Sequence, residues 1–468
     1  MRLLYLFFAS HMFLTVLSGQ MHDNYWIFGY DYDSPGNNNG TLLHFENGYP
    51  EFNIQNIKYD MGLYSIVCSD STGNLIFHTN GRQIRNRQNN IMQGGDTINP
   101  GQVWVDYPDD YPTITSGLAI PAPGLPNHYY MIHTSNGYEP NILSPFLYYS
   151  LIDMNANAGL GKVIAKNKVI ASGDLPNPVA IKHGNGRDWW LIVGNYVSKT
   201  YMIFLIDPTG CHLVNEESIA PGSFTNYGYC KASPDGTIFV NNESDTGLWI
   251  FDFDRCQGFL SHPRVLPYQP PVFWTSTNAF SPDGRFLYIG THLVIYQLDM
   301  QTIDSTYLKL DTIALYEYGA SPNPPYYTQF LLPELAADEK IYYTTFNNST
   351  AFHVINRPDF PLLAADIAQR GLLLPEHNGQ TRCYFPNYRL GKWAGSPCDS
   401  LGLIQQPDSK FRDVSWSEYQ KISSNEEIEV LKLPLHMNIP VTEEPSHEQG
   451  YNPLDMKILM KKAHASKQ

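Results

Sequence analysis

Charge is scarce in this 468-residue sequence: Asp, Glu, Lys and Arg make up only 16%. Long solvated helices need more than that, so a helical architecture is disfavoured. Basic residues are the scarcer sign, with Lys+Arg 30 against Asp+Glu 45 and a net charge of −15. Nucleic acid is thereby excluded as a partner, because phosphates demand a basic surface. No apolar run after the first twenty residues is long enough to span a bilayer, which takes about 20 residues. No Cys-x-x-Cys, His-Glu-x-x-His or calcium-loop spacing occurs, so the usual metal motifs are missing. No Gly-x-Ser-x-Gly elbow marks a hydrolase nucleophile.

The chain is instead rich in aromatics, at 13% with 32 Tyr, and in turn formers, with 35 Gly and 34 Pro. Tyr suits half-buried strands, and Gly and Pro punctuate them. Residues 1–19 read as a secretory signal: Arg2 is the sole charge, an apolar stretch runs from Leu3 to Leu17, and Ser18-Gly19 offers small residues for cleavage. The mature chain is expected to begin at or near Gln20 and to carry no transmembrane segment. Secretion or the outer cell surface is the expected location, with the periplasm as the alternative. Six Cys in an exported chain permit three disulfides and 15 pairings. Cys383 and Cys398 flank one Gly/Pro-containing loop and form the favoured pair. Cys68, Cys211, Cys230 and Cys256 lie in or beside expected strands, where buried free thiols are the alternative.

One unit recurs. A polar turn precedes three to five apolar residues, most plainly at Ser233-Pro234-Asp235-Gly236 and Ser281-Pro282-Asp283-Gly284. The corresponding turn positions are Gly73, Asn127, Gly186, Gly236, Gly284 and Glu339, separated by 54, 59, 50, 48 and 55 residues. Each copy leads into a second strand-like run, such as Leu248 to Asp254 or Leu293 to Asp299. Strand, turn and strand at this period predict an all-β fold, a β-propeller spanning residues 20–402. Six copies are local. The run Cys383 to Tyr388 is expected to pair with the strands around Trp26 and Leu42. That composite seventh blade closes the ring, since an open ring exposes two edges. Six blades is the alternative count. Residues 403–468 carry acidic and then Lys-rich stretches and are expected to form an irregular, partly disordered tail.

Four stretches carry a resemblance to a family: Ser69 to Gly81; Tyr148 to Met154 with Gly159-Leu160-Gly161; Lys231 to Gly236; and Phe280 to Asp299. In these the chain resembles the secreted β-propeller proteins of Bacteroidota associated with gliding motility and type IX secretion, from about Trp26 to Gly391. The resemblance implies a WD40-like propeller at the cell surface and supplies no catalytic residue. The tail lacks the alternating strands of that family's sorting domain.

The chemistry-bearing candidates are sparse, and no cofactor or metal site is expected. Asp252 and Asp254 share one side of a strand and read as turn stabilisers. His78, His128, His133 and His183 read as structural hydrogen-bonding residues. Aromatic and Pro clusters at Tyr107 to Tyr111, Leu266 to Trp274 and Tyr316 to Tyr327 offer contact surface at low entropy cost. Asp109, Asp110, Tyr111 and Trp274 are the candidate loop contacts, for a protein or polysaccharide. The expected function is an exported binding scaffold without catalysis. A secreted or periplasmic propeller hydrolase, lactonase-like, is the alternative.

Overall fold

The structure, a computed structural model, describes residues 21–29, 40–46, 48–55, 61–62, 64–109, 111–112, 117–137, 144–224, 228–243, 245–267, 277–303, 309–317, 327–345, 349–378 and 384–399. The signal-like residues 1–19 and the tail beyond 399 lie outside this set. Among the described residues the chain is all-β, with seven antiparallel sheets and one short α-helix at Gln102–Asp106. Five sheets have four strands and two have three. They are the seven blades of a β-propeller, taken in chain order.

Blade 1 holds Tyr25–Phe28, Gly40–Glu46 and Tyr49–Gln55, and blade 2 holds Ile66–Ser69, Leu75–Thr79 and Ile84–Asn86. Blades 3 to 7 cover residues 118–172, 179–217, 229–266, 277–315 and 330–378. In blades 2 to 7 the first strand is innermost and lines the channel. Val179–Lys182 packs beside Tyr229–Ala232, which packs beside Thr277–Phe280 and then Phe330–Leu335. The ring closes where the outer strand of blade 7, Ile367–Asn378, meets Gly40–Glu46 and Tyr49–Gln55 of blade 1.

Blades stack face to face, so a middle strand is covered on both sides and loses polar alternation. Trp189–Asn195 is buried at every position. Trp26, Trp189, Trp190, Tyr201 and Tyr342 are all 1% exposed or less and belong to one continuous core cluster.

The repeating turn has one geometry. The six positions aligned above all hold positive φ: Gly73 at +90°, Asn127 at +59°, Gly186 at +78°, Gly236 at +72°, Gly284 at +74° and Glu339 at +65°. In the two Ser-Pro-Asp-Gly copies the serine hydroxyl does double duty. Ser233 Oγ donates to Asp235 Oδ1 and accepts from Ile238 N at 2.9 Å. Ser281 Oγ donates to Asp283 Oδ1 and accepts from Phe286 N at 2.9 Å. At the sixth copy Ala336 has no hydroxyl; Asp338 instead accepts from Lys340 N and from Tyr342 OH. Replacing Gly284 by Val should cost about 1 kcal/mol or more, because a β-branched residue is strained at that φ. The added Cβ would also sit 3.3 Å from Pro234 Cδ. A thermal melt that does not move would remove this reading.

Two expectations are corrected. Among the described residues the carboxy-terminal run adds no strand to blade 1: Tyr384 to Asn387 carries no ladder, and the strands of that sheet are amino-terminal. The run does reach that blade, through side chains, with Phe385 stacked on Trp26 at 6.3 Å between centroids. Pro386 has no N–H to offer a ladder, and the neighbouring rings gain more by entering the core. The disulfide also differs. Cys398 bonds Cys256, 142 residues away, and Cys383 lies outside the described residues. Cys398 lies on a segment that folds back over blades 4 and 5, which brings it onto the Asp254 to Gly258 turn. Gly184 makes room beneath it, since a Cβ there would lie 2.3 Å from Cys398 Sγ. Cys68, Cys211 and Cys230 are buried thiols outside that disulfide.

Four histidines are held neutral by burial. His78 and His133 are pushed down to about 3, and His292 and His353 to about 4. The unfolded chain therefore binds more protons than the folded one below pH 6.5. Stability is lost as the pH falls through that window, by about 2–3 kcal/mol per histidine at pH 4.5. Thermal melts of His133→Gln should show a shallower loss between pH 7 and pH 4.5 than the parent protein. An equal slope would assign the acid sensitivity to carboxylates alone.

Candidate functional site: the channel and its two mouths

In blades 3 to 7 the first-to-second and third-to-fourth strand turns fall on one face, here the lower face, together with the first-to-second turn of blade 2. The second-to-third turns and the connectors between blades fall on the other. The contacts agree: Gly184 N in a lower turn of blade 4 donates to Arg255 O in a lower turn of blade 5, at 2.9 Å.

The lower half of the channel is filled by the chain itself. Residues 384–399 leave blade 7, enter the channel and emerge on the lower face. Tyr384, Phe385 and Tyr388 are buried. Tyr388 OH donates to Ala119 O on the inner strand of blade 3 at 2.6 Å. Lys182 Nζ, on the inner strand of blade 4, donates to Tyr388 O at 3.4 Å. Asn387 Nδ2 donates to Pro234 O of blade 5 at 2.7 Å, and Arg389 pairs with Asp23, before blade 1, at 2.8 Å. One segment thus ties four blades together.

The channel wall carries isolated charges. Lys231 on blade 5 bridges to Glu334 on blade 7, with Nζ 2.8 Å from both carboxylate oxygens. Its ammonium lies 4.3 Å from the centroid of the Tyr384 ring. Lys182 lies 4.6 Å from the Trp189 ring, and burial, then the Arg255 charge, pushes its pKa down to about 8. The sequence reading missed Lys182, Lys231 and Glu334. The signal was present, a lone charge inside each of three otherwise apolar strands.

The upper face collects the connectors. Of the aromatic and Pro clusters, Tyr107 to Asp109 falls in the connector between blades 2 and 3, while most of the other two, residues 268–276 and 318–326, lies outside the described residues. Arg82 lies over Trp104 at 4.1 Å and donates to the carbonyls of Trp104 and Tyr107, which fixes the short helix. That leaves Val105 60% exposed, and Tyr327 is 52% exposed at the edge of blade 7.

The expected contact residues do not converge. Asp109 is half-buried, and its carbonyl accepts from Asn80 Nδ2 at 3.0 Å. Tyr111 is fully buried, which corrects its reading as a loop contact. Its ring meets Tyr64 edge-on and its hydroxyl accepts from Asn136 N at 2.7 Å, so it serves the packing of blades 2 and 3. Asp110 and Trp274 lie outside the described residues. Asp254 is a turn stabiliser, accepting from the amides of Cys256 and Gln257. Asp252 instead faces His262 and Arg264 on the outer strand. Among the described residues no three His, Cys, Asp or Glu side chains are grouped to hold a metal ion. Among them, too, no helix is long and apolar enough to cross a membrane.

No family model matches the chain, and no curated protein is similar to it. Solved structures do align. A Bacteroides uniformis protein named as a 6-phosphogluconolactonase is 10% identical, with a TM-score of 0.46, over 76% of this chain and 98% of that one. The periplasmic gluconolactonase of Pseudomonas aeruginosa is 12% identical, with a TM-score of 0.44, over 77% and 98%. The Dos1 propeller is 10% identical, with a TM-score of 0.35, over 67% and 74%. At these levels no shared activity follows.

Proposed function

We propose that this protein is an exported β-propeller scaffold that binds an envelope protein or polysaccharide through its upper face. One observation carries the reading: residues 384–389 fill the lower half of the channel, and residues 391–399 lie on the lower-face turns of blades 4 and 5. The inner-strand cations that a channel-centred hydrolase would turn on a substrate are turned on the chain itself, Lys182 to Tyr388 O and Lys231 towards Tyr384. The connectors with exposed apolar side chains are on the opposite face. The signal-like residues 1–19 and the stretches that resemble secreted Bacteroidota propellers support export and a surface location.

The test uses the double variant Val105→Asp/Tyr327→Ala as bait beside the parent protein. Pull-down from an envelope fraction and a glycan array should both be run at matched melting temperature. A ligand retained by the parent and lost about tenfold by the variant supports the upper face, since an interface anchor is worth about 1.4 kcal/mol or more. Equal retention overturns it. Turnover of a sugar-lactone panel by the parent would replace the scaffold reading with the hydrolase.

A further inference from the structure

We propose that residues 391–399 form a redox-operated strap over the lower-face turns of blades 4 and 5, latched by the Cys256–Cys398 disulfide. The inference rests on how unevenly residues 384–399 are held. The upstream half is a plug, with Tyr384, Phe385 and Tyr388 buried among four blades. The downstream half lies on the surface, and residues 391–395 are all exposed. Two hydrogen bonds join this half to the propeller: Trp393 N to Gly184 O at 2.7 Å, and Arg255 Nη2 to Gly391 O at 2.6 Å. Its other bonds are internal, from Ser396 N to Trp393 O, Asp399 N to Ser396 O and Gly395 N to Asp399 Oδ2, and between Ser396 Oγ and Cys398 Sγ. A segment with so little buried apolar area does not offset its ordering entropy by two hydrogen bonds. The disulfide at its end holds it down.

The latch opens by exchange with a dithiol reductant. A thiolate of the dithiol attacks one sulfur of the pair, forming a mixed disulfide and expelling the other cysteine as thiolate. The second thiol then closes the reductant into its own disulfide and frees the second cysteine. The protein gains two electrons and two protons, and the dithiol loses them. Opening uncovers the Arg255 guanidinium and the Gly184 to Gly186 turn, where the strap lies close: a Cβ on Gly186 would sit 2.9 Å from Lys392 N. The plug remains, because Tyr388 and the Arg389–Asp23 pair are upstream of the latch. The lower face thus has two states, strapped and unstrapped, on an unchanged ring.

Hydrogen exchange of the full chain, oxidised and after dithiothreitol, reads this directly. On reduction the amides of 391–399 and 184–187 should exchange about tenfold faster or more, while the strands of blades 4 and 5 keep their protection. Cys398→Ser should behave as the reduced protein in both conditions. Alkylation under native conditions should label Cys256 and Cys398 after reduction and leave Cys68, Cys211 and Cys230 unlabelled. Unchanged exchange at 391–399 would overturn the strap. So would loss of protection spread evenly through blades 4 and 5, which would make the disulfide a staple of the whole fold.

Discussion

Tyr388→Ala should destabilise the propeller by about 3–5 kcal/mol, the range for removing a fully buried aromatic side chain. Tyr388 is 1% exposed and packs against Trp189 and His22, which belong to different parts of the ring. Its loss leaves a cavity on the axis, where no single blade can relax to fill it. Tyr388→Phe keeps the ring and loses only the bond to Ala119 O, so it should cost about 1–2 kcal/mol. Two truncations frame the result. A chain ending after residue 383 lacks the whole plug and should be at least as unstable as Tyr388→Ala. A chain ending at Asp408 keeps it and should melt within a few degrees of the full protein, because the acidic tail has little apolar area to bury. Chemical denaturation of the four variants decides the matter. If loss of residues 384–468 costs no more than loss of residues 409–468, the plug contributes nothing and the ring is self-sufficient.

Glu334→Ala should be nearly as damaging, at about 3–5 kcal/mol, because it removes one half of a buried ion pair. The Lys231 and Glu334 side chains are 12% and 7% exposed. They come from blades 5 and 7, so the pair spans the inner strand of blade 6 and sits beside the plug. Truncating the acid leaves an ammonium in the channel without this carboxylate, held against the Tyr384 ring. The comparison that isolates the pair is Lys231→Met/Glu334→Leu, which removes both charges at similar volume. Desolvation of two ions is then no longer required, so the double variant should be close to the parent. Urea midpoints test both statements. A double variant as unstable as Glu334→Ala would show that the strands need these side chains for something other than each other.

The turn copies were readable because their cause is local. Gly, Asn or Asp at a tight reversal is a statement about φ and about side chains bonding their own backbone. Even Glu339, chemically the poorest match, is placed correctly by the Asp before it and the apolar run after it. The buried aromatics were readable as strands for a similar reason: a blade strand covered on both faces has to be apolar nearly throughout, and Trp189–Asn195 is. Tyr111 was misread because composition does not say which aromatic in a loop faces inward. Its partners, Tyr64, Gly81 and Asn136, are between 25 and 47 residues away. Cys398 was misassigned for the same reason. A loop with two flanking cysteines suggests local closure, and the partner at Cys256 is set by where residues 384–399 travel.

By itself the sequence determined an all-β chain, the repeat and the turn conformations, while its seventh blade leaned on a closing pair that the structure replaces. Each rests on contacts within about fifty residues, where propensity and periodicity act directly. Only the tertiary structure decided how the ring is plugged, which cysteines meet, and that Lys182, Lys231 and Glu334 share one channel. Those outcomes depend on inner strands from separate blades converging on an axis. A one-dimensional pattern has no coordinate for that distance, so a lone charge in an apolar strand could not be matched to its partner two blades away.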